Sequence, residues 1–462
     1  MNRSASGTLP GLMPFVVWPK VGGRGIDCLR MLQDSLNETQ FFPPEKLAGH
    51  QREQLQVLGQ YAAKHSPHFA RRLQHAGIKP SALGKSGTLA ALAVLRRRDI
   101  QAFGPAMCCK EVPPRHLPLN KAETSGSTGE PVAVVRTALN RLFWMAMTMR
   151  EHVWNNRDVS LRLTSVRANI PQLAYRDDWG PPASLLHQTG RSQGVPIIAG
   201  LAQQAAWISE FGPAYLMHYP SSLAALGEYC ERHTVKFHGL RQIRSIGETL
   251  PAFTRARAEE LFGVRVTDTY SSNEAGVIAI ECPEGGLYHI MSESLIVEVL
   301  REDGSPAGEG EVGRVVITDL HNFATPLVRY DIGDYAEAGG PCPCGRGLPT
   351  LRRILGRERN LVLKPDGTRH WPLVGFAAYN DVAPVKQYQI VQHDIENIEF
   401  RLVAERTLSE TEEGELRRII QTALGHDFHV RFAYFADTIP RGRGGKFEEF
   451  ICLAGSRPQS GD

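Results

Sequence analysis

The sequence predicts an α/β fold, with a large N-terminal domain of α/β subdomains that carries a small β-rich unit, followed by a small α+β C-terminal domain. Three observations predict it. Short apolar runs alternate with helical patterns between residues 161 and 261. From residue 294 onward, hairpin strands of period two replace that alternation. Past Gly356 a strand–strand–helix–strand run follows. Buried strands alternating with helices indicate α/β layers, whereas period-two runs joined by turns indicate antiparallel hairpins.

The elements follow in order. Residues 51–76 repeat apolar positions three and four apart, at Leu55, Leu58, Tyr61 and Ala62, which is one face of a helix. Residues 89–103 read as a second helix with a basic face. Residues 161–166, 215–218 and 242–246 read as buried strands, with helices at 220–233 and 252–261. The β-rich unit comprises strands at 294–300, 313–318 and 328–335, with a turn at Asp303-Gly304. In the last part, residues 387–392, 398–403 and 429–435 read as strands. Ser409 and Glu412 form a capping box before a helix at 415–424. The pattern changes near residues 355–357, which divides the chain into domains 1–355 and 356–462.

Composition narrows the class. A chain of 462 residues exceeds one hydrophobic core, and 42% hydrophobic with 22% charged residues is ordinary for a globular protein. A formal net charge of +3 gives no electrostatic reason for nucleic acid or an anionic membrane as partner. No run reaches the length of a membrane-spanning helix, and the apolar stretch 12–18, broken by Pro14, is too short for a signal peptide. The 8 cysteines are scattered, apart from Cys108-Cys109 and the close pair Cys342 and Cys344. Scattered thiols suit a reducing compartment, so a cytoplasmic location is expected.

The most informative segment is Glu123-Thr124-Ser125-Gly126-Ser127-Thr128-Gly129-Glu130-Pro131. Glycines let backbone N–H groups approach a phosphate, and hydroxyls add uncharged donors. It lacks the Gly-Lys-Ser/Thr of a Walker A loop, and residues 131–135 after it read as a strand rather than a helix. A solvated Ser/Gly turn has the same composition.

Residues 124–131 resemble the phosphate loop of the adenylate-forming (ANL) superfamily of acyl-CoA synthetases, peptide-synthetase adenylation domains and luciferases. Four further segments fit that superfamily in the same order: Ile246-Gly247-Glu248-Thr249-Leu250-Pro251, Thr269-Tyr270-Ser271-Ser272-Asn273-Glu274-Ala275-Gly276, Arg329-Tyr330-Asp331-Ile332-Gly333-Asp334, and Pro440-Arg441-Gly442-Arg443-Gly444-Gly445-Lys446. Gly356-Arg357 matches its hinge-region motif. Such motifs in order are far more specific than any one of them. Residues 61–103, Glu281-Cys282-Pro283 and Cys342-Pro343-Cys344-Gly345-Arg346 resemble the phenylacetate-CoA ligase branch with its CapK-like relatives. The likeness spans roughly residues 50 to 450.

The resemblance implies a function. ATP and Mg2+ would convert a small carboxylic acid, aryl or arylacetic in this branch, into an acyl-adenylate. Coenzyme A would then take the acyl group. An amine or a carrier-protein thiol as acceptor keeps the same first step, AMP transfer to a hydroxyl alters the product, and a nucleotide-binding relic would catalyse nothing. A homodimer stays open.

The resemblance also implies roles. Lys446 and Glu274 are the expected catalytic residues: Lys446 contacts the acyl carboxylate and α-phosphate, and Glu274 holds Mg2+. Thr124, Ser125, Gly126, Ser127, Thr128 and Gly129 cradle phosphate. Gly247, Glu248, Tyr270 and Ser271 line the nucleotide site, with Tyr270 on adenine. Asp334 takes the ribose hydroxyls, and Arg357 adds a ribose or phosphate contact. The C-terminal domain is expected to rotate between the two half-reactions. The chain departs from the common pattern at Ser271, usually Gly, at Asn273, usually Thr or Ser, and at Arg359-Asn360, where a hinge Asp or Lys is typical. The bland alternatives are a solvated basic loop for Lys446, a core tyrosine for Tyr270 and a turn aspartate for Asp334.

Cys282, His289, Cys342 and Cys344 supply three thiolates and an imidazole, a donor set that suits tetrahedral zinc. Four protein ligands leave no open position, so such a zinc would be structural. A small buried thiol set in a glycine-rich turn is the alternative.

Overall fold

The structure is a computed structural model that describes residues 11–123, 132–357, 361–370, 379, 382–436, 439–440 and 447–454. Its contacts divide the chain into two compact units: residues 1–163, 175–193 and 267–354 form one, and residues 164–174, 194–266 and 355–462 the other.

The first unit opens with helices α1 (Ile26–Thr39), α2 (Pro44–His65) and α3 (Pro67–His75). The helical pattern of residues 51–76 is therefore two helices. Ser66 ends α2 and caps α3, its hydroxyl accepting the Phe69 N–H at 3.3 Å, and Pro67 fits the first turn of α3. The helix expected over 89–103 is corrected: only α4 (Arg97–Phe103) and a 3₁₀ turn at Leu89–Ala91 form. Between them Leu95 lies as an extended bridge beside Tyr330, its N–H donating to the Arg329 carbonyl (2.7 Å) and its carbonyl accepting from the Asp331 N–H (2.9 Å). That long-range pairing overrides the local helical spacing.

Strands β1 (Leu119–Glu123) and β2 (Ala133–Thr137) pair antiparallel with Glu123 opposite Ala133, so residues 124–131 join two ends of one hairpin. Thr137 then caps α5 (Ala138–Trp154), where Thr137 and Asn140 exchange hydrogen bonds. The rest of the unit is a seven-stranded sheet of β9 (Thr269–Ser272), β10 (Gly276–Glu281), β11 (Tyr288–Ile290), β12 (Leu295–Leu300), β13 (Val312–Asp319), β14 (Tyr330–Ala338) and β15 (Thr350–Arg357). Its order is β12-β13-β14-β15-β11-β10-β9. The three strands read from sequence are β12 to β14. The sheet is larger than expected because the other four lack a clean period-two alternation; β10, for example, is buried along its whole length.

The second unit holds a six-stranded sheet: β3 (Leu163–Arg167), β4 (Ala174–Arg176), β5 (Ser192–Pro196), β6 (Tyr215–His218), β7 (Gln242–Ser245) and β8 (Arg265–Thr267), ordered β4-β5-β3-β6-β7-β8. β6 and β7 are parallel, as the intervening helix requires. Helices α6 (Leu201–Phe211), α7 (Pro220–Arg232) and α8 (Ala252–Phe262) bury Ile208, Leu223, Leu226 and Ala258 against Val166, Leu216 and Ile243.

The same unit contains the short pair β16 (Val362–Leu363) and β17 (Arg369–His370). Next comes a four-stranded sheet of β18 (Val385–Gln392), β19 (Asn397–Ala404), β20 (His429–Tyr434) and β21 (Phe450–Cys452), in the order β20-β19-β18-β21. Helix α9 (Glu410–Leu424) crosses it and buries Leu416, Ile420 and Leu424 against Ile390 and Phe400. Its capping box forms as read: Ser409 Oγ accepts the Glu412 N–H (3.3 Å) and Glu412 Oε2 accepts the Ser409 N–H (2.8 Å). That cap starts the helix five residues earlier than the apolar pattern alone. Among the described residues no helix is long and apolar enough to cross a membrane.

Candidate functional site

In the first unit the seven-stranded sheet brings Tyr270 and Asp334 together. Tyr270 is on β9 and Asp334 on β14, with β15, β11 and β10 between them. At about 4.8 Å per strand, a flat sheet would set β9 and β14 about 19 Å apart. Yet the Tyr270 hydroxyl donates to Asp334 Oδ2 at 2.7 Å, and both residues are buried. The sheet therefore curls strongly. Two irregularities accompany the curl: β9 and β10 slip register between Val277 and Ala279, and β13 and β14 between Arg314 and Val316. Gly333, just before Asp334, takes φ +81°, a left-handed conformation that glycine adopts without strain.

Glu274 is in the turn from β9 to β10 and is 3% exposed. The turn is tied by the Ala275 N–H donating to Ser272 Oγ (3.1 Å). Ser271, expected beside the nucleotide, is an exposed residue of β9. Thr124, Ser125, Gly126, Ser127, Thr128 and Gly129, and also Lys446, lie outside the described residues.

In the second unit Gly247 has φ +75°, and the carboxylate of Glu248 after it accepts two backbone N–H bonds. Oε2 takes that of Ser221 at 3.0 Å, and Oε1 that of Phe447 at 2.9 Å. Arg357 is the last residue of β15. His218, at the end of β6, is fully buried, with Nδ1 3.1 Å from the Tyr219 carbonyl and Nε2 3.2 Å from Gln204 Oε1.

The cysteine set also assembles. The ligand atoms of Cys282, His289, Cys342 and Cys344 all lie within 4.8 Å of one another. Cys282 follows β10, His289 is on β11, and Cys342 and Cys344 precede β15, so the sheet unites the two sequence halves. His289 Nδ1 is 3.1 Å from the Leu348 carbonyl, which can only accept, so Nδ1 carries the proton and Nε2 faces Cys344 Sγ at 3.2 Å. Burial lowers the His289 pKa, which keeps the imidazole neutral. Burial pushes the Cys342 thiol up to about 12; it also works against Cys344, but donors from Arg346 outweigh it there and favour the thiolate. The Arg346 guanidinium stacks 4.4 Å from the Trp154 ring, bonds Glu284 at 3.0 Å and approaches Cys282 Sγ at 3.8 Å. A Cβ on Gly285 would fall 2.5 Å from Cys342 Sγ, so only glycine lets this loop close.

Relatives agree with this architecture. Residues 376–452 match the CapK C-terminal domain family. Phenylacetate-coenzyme A ligase of Thermus thermophilus is 27% identical over 345 residues, 71% of this chain and 74% of its own length. Protein CapK of Staphylococcus aureus is 26% identical over 207 residues, 43% of each chain. The crystal structure of 2-hydroxyisobutyryl-CoA ligase, in the postadenylation state with R3-HIB-AMP, aligns with a TM-score of 0.71 at 21% identity, over 90% of this chain and 91% of that one. The chain is thus similar to phenylacetate-CoA ligases over about seven-tenths of its length, and to CapK proteins in its C-terminal part. The mixed α/β fold of these adenylate-forming ligases is the one its sequence predicts.

Sequence reasoning missed one cation beside the acidic turn of Glu274. Arg136, on β2 directly after the glycine–hydroxyl segment, donates Nη1 to the Asn273 carbonyl at 3.3 Å. A Cβ on Gly276 would be 3.1 Å from its Nη2. Burial lowers the Arg136 pKa, and the charges of Asp319 and Glu274 oppose that. Asp319 is itself buried, raised to about 6, and accepts from Asn140 Nδ2 at 3.2 Å. A single arginine in a strand has no motif around it, so only the folded neighbourhood reveals it.

Proposed function

We propose that the protein is an ATP-dependent acid–CoA ligase that activates an aryl or arylacetic acid. A carboxylate is a poor electrophile. Attack of its oxygen on the α-phosphorus of ATP forms a mixed anhydride and expels pyrophosphate. The thiol of coenzyme A then attacks the acyl carbon, loses its proton, and AMP departs. The protein's part is positioning and charge stabilisation.

The observation that supports this reading most is the buried Tyr270–Asp334 contact four residues before the acidic turn of Glu274. In this reading Tyr270 packs against adenine, Asp334 accepts from the ribose hydroxyls and Ser271 lies beside the nucleotide. Residues 124–129 supply N–H and hydroxyl donors to phosphate. Lys446 binds the acyl carboxylate and the α-phosphate. Glu274 is a hard oxygen donor of the kind Mg2+ takes alongside substrate phosphates. Bound there, Mg2+ would neutralise phosphate charge. Residues 356–462 would move between the half-reactions, a gating step.

The cysteine set fits a structural zinc: soft sulfur and nitrogen donors converge, and His289 is oriented by a carbonyl on its far nitrogen. A cytoplasmic location suits a reaction that consumes ATP and coenzyme A.

The test is ATP–pyrophosphate exchange across a panel of aryl, arylacetic and short hydroxy acids, followed by addition of coenzyme A. Acid-dependent exchange and a thioester product are expected. Amide formation with added amines, or AMP retained on a hydroxyl product, would reassign the acceptor. Protein that binds ATP yet exchanges with no acid would overturn the reading.

A further inference from the structure

We propose that Arg167, with Arg244 beside it, determines specificity by taking a second anionic group on the acid that the chain activates: a carboxylate, sulfonate or phosphate apart from the carboxylate that reacts. The inference rests on the ligase reading above and lies within the second unit.

The topology points to the place. The six-stranded sheet is ordered β4-β5-β3-β6-β7-β8. From β3 the chain turns to one side to form β4 and β5, then returns to lay β6, β7 and β8 on the other. The winding therefore reverses between β3 and β6. In open α/β sheets, ligands bind in the crevice outside the carboxyl ends of the strands at such a switch point. Those ends meet here. Arg167 is the last residue of β3, and the Ala168 N–H after it donates to the hydroxyl of Tyr219, the residue after β6, at 3.2 Å.

Three side chains share one face at this point. Val166, Leu216 and Ile243 belong to the core that the helices cover. Side chains alternate along a strand, so the next residues, Arg167, Met217 and Arg244, point to the opposite face. Met217 and Arg244 are direct partners in the parallel pair of β6 and β7, and Arg167 Nη1 reaches Met217 Sδ at 3.7 Å. One strand, β6, separates the two arginine strands, which at about 4.8 Å per strand lie about 10 Å apart. Two arginine side chains leaning over Met217 span that gap.

The charges lack the balance of a structural ion pair. Among the described residues Arg167 pairs with no carboxylate. The residue is exposed, so an anion can reach it. Protein packed around the guanidinium nonetheless lowers its pKa; Tyr219 opposes this, and the charge of Arg244 adds to it. Two like charges held together break a local stability rule, as functional sites often do. A ligand anion relieves the repulsion, and the planar guanidinium fork matches the paired oxygens of a carboxylate, sulfonate or phosphate. Met217 and Tyr219, both buried, supply an apolar wall beside the cations, and a thioether favours an aromatic ring. An aryl acid with an anionic substituent suits both the wall and the charge, whereas a bare phosphate suits the charge alone.

The experiment uses the full-length protein. Each aryl and arylacetic acid of the exchange panel is paired with two derivatives of similar shape, one bearing a second carboxylate and one a carboxamide. The parent protein should favour the dicarboxylate over the carboxamide by about tenfold or more in kcat/KM, the size of one charge-assisted hydrogen bond. In Arg167→Ala that ratio should fall to about one. Arg167→Lys, which keeps the charge and loses the fork, should fall between. Calorimetry of the dicarboxylate without ATP reads the subsite apart from catalysis, and binding should weaken about tenfold in Arg167→Ala. A parent ratio near one, or a ratio that Arg167→Ala leaves unchanged, would overturn the proposal. An unchanged ratio is also the outcome if Arg167 serves the reacting carboxylate, ATP or coenzyme A instead. Should the parent exchange with no acid, the ligase reading falls and calorimetry decides the subsite: equal binding by parent and variant, or binding by neither, overturns it.

Discussion

The phenolic oxygen of Tyr270 lies 2.7 Å from Oδ2 of Asp334, although three strands separate β9 from β14 in the sheet. A residue expected on adenine thus donates to the residue expected on ribose, and each fixes the other's side chain.

Removing only that hydroxyl tests the contact. Tyr270→Phe keeps the ring and loses one charge-assisted hydrogen bond, of the order of 1.5–3 kcal/mol. KM for ATP should rise about tenfold with kcat little changed, as loss of ground-state binding predicts. Steady-state kinetics with ATP varied gives the answer, and an unaltered KM would detach Tyr270 from nucleotide binding.

Lys446 and Glu274 should fail differently. Lys446→Ala should abolish pyrophosphate exchange while leaving ATP binding within a few-fold, measured by calorimetry. Glu274→Gln keeps the shape of the side chain and removes its charge. Its activity should fall by about a hundredfold and recover in part at raised Mg2+, since a weakened metal site fills by mass action. A magnesium titration identical to that of the parent protein would refute the assignment.

Zinc is checked on protein purified without chelators, by elemental analysis. One equivalent is expected. Cys344→Ser should lower the zinc content and the Tm together, because a structural metal contributes its binding free energy to folding. Parent protein free of zinc, or a Cys344→Ser variant as stable as the parent, counts against a metal at this centre.

Acid should destabilise the protein through its buried histidines. His321 is fully buried, stacked 4.1 Å from the Phe143 ring, with burial holding its pKa at about 3 against an ordinary 6.5. Burial likewise lowers His116 to about 4. The unfolded chain therefore binds protons below 6.5 that the fold refuses. This contribution to stability is complete above pH 6.5 and is lost as pH falls toward the folded values. Asp319, raised to about 6, acts in the opposite direction, stabilising the fold at low pH and losing that effect as pH rises through 6. Urea midpoints should drop between pH 6.5 and 4.5. In His321→Gln the slope should shrink by up to one proton, whatever the absolute stability; an identical slope would contradict this account.

Much was legible in the sequence because the relevant signals are local. The α9 capping box depends on residues three apart, and β6, β12 and β18 on runs shorter than ten residues. The close pair Cys342 and Cys344 could be named for similar reasons, from residue type and short spacing, whereas Glu274 was named through the family resemblance of its motif. Local signals also misled: residues 89–103 have helical spacing, yet Leu95 pairs with the backbone flanking Tyr330.

By itself, then, the sequence determined many of the strands and helices, the order of the motifs, and which side chains carry acid, thiol or hydroxyl chemistry. Tertiary structure alone decided that Tyr270 reaches Asp334, that Arg136 faces the Glu274 turn, that four cysteine and histidine ligands converge, and that Glu248 grips the peptide of Phe447. The reason is physical. Secondary structure follows from spacing along the chain, whereas these contacts depend on sheet register and curl, which are set by many packed residues far apart in sequence.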